Sequence, residues 1–123
     1  MNDRSAYFCA RFRKFAVDTI SFAEGLRKYH KYVILDQITR SVTSIGANFY
    51  ESRVARSRRE LVGILGIALR ETKETEFWLD VIEDLNLLSR DYLAKLKKEE
   101  SEIAKILFAN IRKNKQKLNF PVS

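Results

Sequence analysis

A chain of 123 residues, 46% hydrophobic and 32% charged, is one domain long and is neither disordered nor membrane-like in composition. Four glycines and a single proline, Pro121, argue against a strand-rich fold, which needs many turns, and leave long helices. The net charge of +7 is uneven: residues 1–33 carry +4, residues 34–85 carry −2 and residues 86–123 carry +5, an excess that serves either solubility or attraction to nucleic acid.

The first helix is expected from about Ser5 to about Tyr29. Phe8, Phe12, Phe15, Thr19, Phe22, Leu26 and Tyr29 recur at steps of four and three and define one buried face. Arg11, Lys14, Asp18 and Arg27 fill the opposite face. Gly25 weakens the last turn or lets another helix come close, and Lys28 to Lys31 reads as a turn. The only histidine, His30, sits beside that turn as an exposed tip residue. The only cysteine, Cys9, reads as a small inert residue that cannot form an internal disulfide.

The second helix is expected from about Val33 to about Ser52. At 100° per residue, Ile34, Ile38, Val42, Ile45 and Phe49 fall within an arc of roughly 80°. Gln37, Arg40, Ser44, Asn48 and Glu51 occupy a neighbouring arc. Thr43, Ala47 and Tyr50 lie on the remaining side, so no charge appears on any side from Ser41 to Tyr50. A solvent-facing helix carries charge on its outer face. A second cover, best supplied by another copy of the chain, is therefore expected over this one. The polar stripe is open to three readings: an interface network, a ligand-recognition site or a solvated face. In the first, Arg40 pairs with Glu71 or Glu74 of the third helix, or with a carboxylate of another subunit.

Arg53 to Arg56 form a short link. Ser57 followed by Glu60 has the spacing of a capping box, which starts a third helix running from Arg58 to about Asp84. Leu61, Ile64, Ile67 or Ala68, Glu71, Thr75, Trp78 and Ile82 mark its inner side. Gly63 and Gly66 suggest close helix approach. Its second half is acidic, which opposes the helix dipole unless basic neighbours compensate. Ser89 caps a fourth helix from Arg90 to about Lys117, with Leu93, Leu96, Ile103, Leu107 and Ile111 on its seam and Glu100 as the one polar member. From about residue 113 a basic tail is expected to fray. Two basic clusters, Arg53, Arg56, Arg58 and Arg59 at the corner and Lys113, Lys115 and Lys117 in the tail, are candidate phosphate-binding residues or plain solvated surface.

No nucleophile–base set assembles. A di-metal site would need Glu-x-x-His, which is absent, so no catalytic residue, metal or cofactor is expected. The lone cysteine, the absence of a signal-peptide pattern and an uncharged run only about half a membrane span long lead to the expectation of a cytoplasmic protein with no membrane partner.

From the second helix onwards the sequence resembles a family. Gln37, Arg40, Ser41, Ser44, Ile45 and Asn48, then Glu51, then Ser57, Glu60 and Leu61, then Ala68, Glu71, Glu74, Thr75, Trp78 and Leu79 are similar to the S23-like proteins, which take their name from intervening sequences of bacterial 23S ribosomal RNA genes. In that family a glycine follows the glutamate, where this chain has Ser52. The resemblance implies an all-α, antiparallel up-and-down four-helix bundle that assembles as a ring-like homopentamer. It implies no established biochemical function. A distantly similar group, the accessory proteins of diversity-generating retroelements, is held to bind nucleic acid. The expectation is a non-enzymatic homo-oligomer acting as a scaffold or assembly protein, with RNA or DNA binding as the alternative.

Overall fold

The computed structural model describes residues 3–118. Four α-helices form: α1 (Asp3–Ala23), α2 (Tyr32–Ser52), α3 (Arg58–Leu85) and α4 (Arg90–Leu118). Each packs on its neighbours in chain order and α1 closes on α4, with no diagonal pair in contact. Short links between long helices make the arrangement up-and-down.

The expected single first helix is corrected at its end. Glu24–Tyr29 is a 3₁₀ helix. A repeat of three residues per turn stacks Ala23, Leu26 and Tyr29 on one side, where the first two are fully buried and the third half-buried. His30 then turns left-handed at φ 58°, and the amides of His30 and Lys31 donate to the carbonyls of Arg27 and Leu26 at 3.0 and 3.1 Å. A β-carbon at Gly25 would lie 2.9 Å from Leu88 Cδ2, so the α3–α4 corner leans on this segment.

The other helix ends follow local chemistry. Ser57 Oγ accepts from the Glu60 amide at 3.1 Å, while the Glu60 carboxylate takes the Arg56 guanidinium at 3.2 Å. Left-handed Asn86 ends α3, and Ser89 Oγ accepts from the Tyr92 amide at 3.3 Å. α2 ends with Arg53 in the right-handed region, φ −70°, so the missing glycine after Glu51 is not needed for a left-handed cap. Ser52 is instead buried and donates to the Phe49 carbonyl at 2.6 Å. α4 extends past residue 113, where the tail was expected to begin. It is helical through Lys113, Lys115 and Lys117, and Pro121 lies outside the described residues.

The core runs the length of the bundle through Phe12 and Phe15, Ile38, Val42 and Ile45, Leu65, Leu79 and Ile82, and Leu93, Ile103 and Leu107. Phe12 and Phe49 meet edge-to-face with centroids 5.0 Å apart. Ala68, not Ile67, is the inward residue of α3. The expected close approach at Gly63 and Gly66 is also corrected: nothing lies within 4 Å of a β-carbon built at either.

The core holds a polar layer. Ser41, Thr72 and Thr75 are fully buried, and Thr75 Oγ1 lies 2.8 Å from both Ser41 Oγ and the Glu71 carbonyl. Glu100 is 2% exposed and its Oε2 has no hydrogen-bond partner. Burial, first, and then a hydrogen bond to Glu76 with the repulsion of that carboxylate and of Asp80 push the Glu100 carboxyl from an ordinary 4.5 up to about 8, against the opposing pull of Lys73. The folded chain thus keeps the proton up to about pH 8, while the unfolded chain releases it near 4.5. Between these values unfolding releases a proton, so stability falls as pH rises and levels off above the upper value. Glu100→Gln, uncharged at every pH, should flatten that slope. Thermal unfolding followed by circular dichroism should show the variant above wild type at alkaline pH and the gap closing in mild acid. Parallel profiles for the two proteins would remove Glu100 as the source.

Candidate functional site

The stripe expected along α2 divides into parts. Arg40 reaches α3: Nη1 donates to Glu71 Oε2 at 2.9 Å and Nη2 to Glu74 Oε2, while Nε donates to Gln37 Oε1 at 3.3 Å. Trp78 Nε1 donates to the same Glu74 oxygen at 3.1 Å, as their i,i+4 spacing on α3 allows. Gln37, Arg40, Glu71, Glu74 and Trp78 therefore form one connected set across the α2–α3 seam. Ser44 Oγ and Asn48 Nδ2 turn back onto their own helix, donating to the Arg40 and Ser44 carbonyls at 2.8 and 2.7 Å. Ser41 belongs to the core. Glu51 is exposed and joins neither group.

The acidic half of α3 is compensated from both sides by the chain itself. Arg40 does so from α2. From α4, Lys97 lies 2.8 Å from Asp80 and 3.0 Å from Glu83, and hydrogen bonds to those two carboxylates raise its pKa. Arg11 of α1 forks onto Glu99 of α4 with two bonds of 2.8 Å.

Thr43, Ala47 and Tyr50 lie exposed on the outer side of α2. They wall a groove of about 290 Å³ between α1 and α2, floored by Phe12, Ala16 and Gly46 with the half-buried thiol of Cys9 beside them. On α3, Gly63 is exposed, a β-carbon built at Gly66 would have open space around it, and Ile67 and Phe77 are 47% and 56% exposed. Uncharged side chains thus face water on the outer sides of both helices.

The corner arginines are held in different ways. Arg53 lies over the Tyr50 ring at 4.0 Å, Arg56 pairs with Glu60, and Arg58 Nη1 donates to Asn114 Oδ1 at 2.5 Å. Arg59 is exposed and has no partner among the described residues. The Arg58–Asn114 bond brings the last turns of α4 to the corner, so the two basic clusters share one end of the bundle. Lys113, Lys115 and Lys117 are exposed there.

The family model described as 23S rRNA-intervening sequence protein matches residues 8–109. The chain belongs to this family. A crystal structure of a protein with unknown function from the S23 ribosomal protein family of Bacteroides thetaiotaomicron superposes with a TM-score of 0.79 at 34% identity, covering 84% of this chain and 96% of that one. A search of curated proteins finds no match. The matched region of this 23S rRNA-intervening sequence protein contains the whole Arg40 set and the corner arginines, and excludes Lys113, Lys115 and Lys117.

Arg40 is half-exposed, so its bonds to two carboxylates are worth about 1 kcal/mol rather than several. Arg40→Ala should lower the denaturant midpoint by that much without changing the slope. Arg40→Lys should recover only part of the loss, because an ammonium cannot fork between two carboxylates. Equal stability of wild type and alanine variant in urea titrations would mean that the set does not tie α2 to α3.

Proposed function

We propose that this protein is a non-catalytic building block of a homo-oligomeric assembly in the cytoplasm, a scaffold in which copies meet across the outer faces of α2 and α3. The observation that carries this reading is the charge-free run from Ser41 to Tyr50, whose outer residues the chain leaves uncovered. Tyr50, Ile67 and Phe77 stand in water in a single copy, and the open space over Gly63 and Gly66 admits another helix. The groove between α1 and α2 and the glycine-bearing ridge of α3 are different surfaces. Joining different surfaces is a head-to-tail contact, which closes into a ring when the rotation allows. That agrees with the pentamer implied by the family resemblance.

Sedimentation equilibrium should give about five times the 14.4 kDa chain mass. Ala47→Arg and Gly63→Arg, each placing a long charge on an exposed position, should each shift the protein towards monomer while leaving its helix content intact. A wild-type monomer at micromolar concentration would reject the assembly reading. A dimer or tetramer would reject the ring of five and retain the interface.

A second reading, nucleic-acid binding, is favoured by one observation: Arg53, Arg56, Arg58 and Arg59 share an end with the basic last turns of α4. Repeated around a ring, a weak basic end gains avidity for a polyanion. Contacts of this type touch phosphates and ignore bases, so six to ten of them would lose roughly a thousandfold or more in affinity between about 50 and 200 mM salt. Anisotropy titrations with short RNA and DNA should show that salt dependence, and the pair Arg56→Ala with Arg59→Ala should weaken both. An intact oligomer that binds neither nucleic acid in low salt leaves the scaffold reading alone.

A further inference from the structure

The α1–α4 seam is the thinnest of the four. The Arg11–Glu99 fork holds its middle, and the Phe22 and Tyr92 rings, stacked at 5.3 Å, hold one end. At the other end the first turns of α1 and the last turns of α4 form opposite walls of a cavity of about 630 Å³. Its floor is apolar and draws on all four helices through Phe8, Phe49, Leu61, Leu65 and Ile106. Phe49 and Leu65 are buried core residues, so the floor is the exposed end of the hydrophobic core itself.

The rim has a different character. Arg4 from α1, Arg53 from the link after α2, and Lys105 and Lys113 from α4 line it, and Glu102 is the one acid among the described lining residues. Glu102 lies 3.8 Å from Lys105 and offsets that charge. Arg4 lies over the Phe8 ring at 5.6 Å, which joins rim to floor directly. Arg4, Lys105 and Lys113 come from opposite ends of the chain, and repulsion among like charges around one opening is relieved by an anion between them. The volume lies within the range of roughly 300–1,000 Å³ usual for small-molecule sites, which are mostly apolar with a few placed polar groups.

An inorganic anion would use the rim and leave the floor wet. A neutral apolar molecule would cover the floor and make no use of Arg4, Lys105 and Lys113. We propose that this cavity binds a small organic carboxylate with an apolar acyl or aryl body, the body on the Phe8–Phe49–Leu65 floor and the carboxylate among Arg4, Lys105 and Lys113. The site is separate from the outer faces of α2 and α3, so its test does not depend on the assembly reading.

The probe is 8-anilinonaphthalene-1-sulfonate, an aryl anion whose sulfonate stands in for the carboxylate, titrated by fluorescence into the full chain. Saturable binding at one site per chain is expected, displaced by decanoate and not by inorganic phosphate at the same concentration. N-phenyl-1-naphthylamine, the same body without the charge, should bind at least about tenfold more weakly. Ala109→Trp puts an indole into the mouth from an exposed lining position and should weaken the probe by at least about tenfold. The double variant Lys105→Glu with Lys113→Glu should do the same without adding bulk. Lys28→Glu, at the opposite end of the bundle, should leave binding unchanged. Circular dichroism melts confirm that each variant is folded. The proposal is overturned by undiminished binding to a folded Ala109→Trp or to the double variant, by a naphthylamine that binds as tightly as the sulfonate, by failure of decanoate to compete, or by no saturable binding below about 1 mM.

Discussion

Between Arg40 and Glu51, α2 has no side chain that water must solvate as an ion, and the rest of the molecule is arranged around that helix. Inward, Ile38, Val42, Ile45 and Phe49 supply its share of the core. At the head of the charge-free run, Arg40 is tied to Glu71 and Glu74 of α3. In the middle, Thr43, Ser44 and Asn48 bond to carbonyls of their own helix. Polar atoms already satisfied by their own backbone lose little when water leaves. A face that is polar in composition can then be dried at small cost, as a covered helix requires.

The polar groups inside the bundle obey the same accounting unequally. Ser41 and Thr75 satisfy each other and nearby carbonyls, whereas Thr19 Oγ1 and Glu100 Oε2 are buried without partners. An unsatisfied buried atom costs about 1–3 kcal/mol, and an unpaired buried carboxylate costs more. Glu100 lowers that cost by holding its proton beside Glu76. The acidic second half of α3 has a parallel solution, since Arg40 and Lys97 flank it from the two adjacent helices. The basic neighbours that this acidic run calls for are thus supplied by the chain itself.

The four helices were legible because each seam repeats with helical period and because Ser57 and Ser89 stand where helices begin. The 3₁₀ helix was not, because over Glu24–Tyr29 a period of three cannot be told from one of 3.6. Ile67 and Ala68 are adjacent, and periodicity alone left both open. Gly63 and Gly66 looked like close-approach residues because glycine is otherwise costly in a helix; the chain offers no helix to approach there. Pairing of Arg40 with Glu71 or Glu74 was among the readings the arcs allowed. The cavity was not legible at all. Arg4, Arg53, Lys105 and Lys113 are scattered through the chain, and only the meeting of particular helix ends puts them around one opening.

Arg53 joins the outer face of α2 to the basic end, its Nε donating to the Tyr50 carbonyl at 3.3 Å. Arg53 lies over the Tyr50 ring at 4.0 Å, and Tyr50 is 60% exposed on the face proposed to meet another copy. A cation over an aromatic ring is worth about 0.5–1 kcal/mol when exposed and about 2 kcal/mol when water is excluded. Covering Tyr50 therefore holds Arg53 more firmly in place and lowers the entropy it must lose to meet an anion. By reciprocity, an anion that prefers Arg53 in that position favours the covered state by the same factor. The proposed assembly face and the proposed anion site are different surfaces of this bundle, and the Tyr50–Arg53 pair would give them a physical route to influence each other.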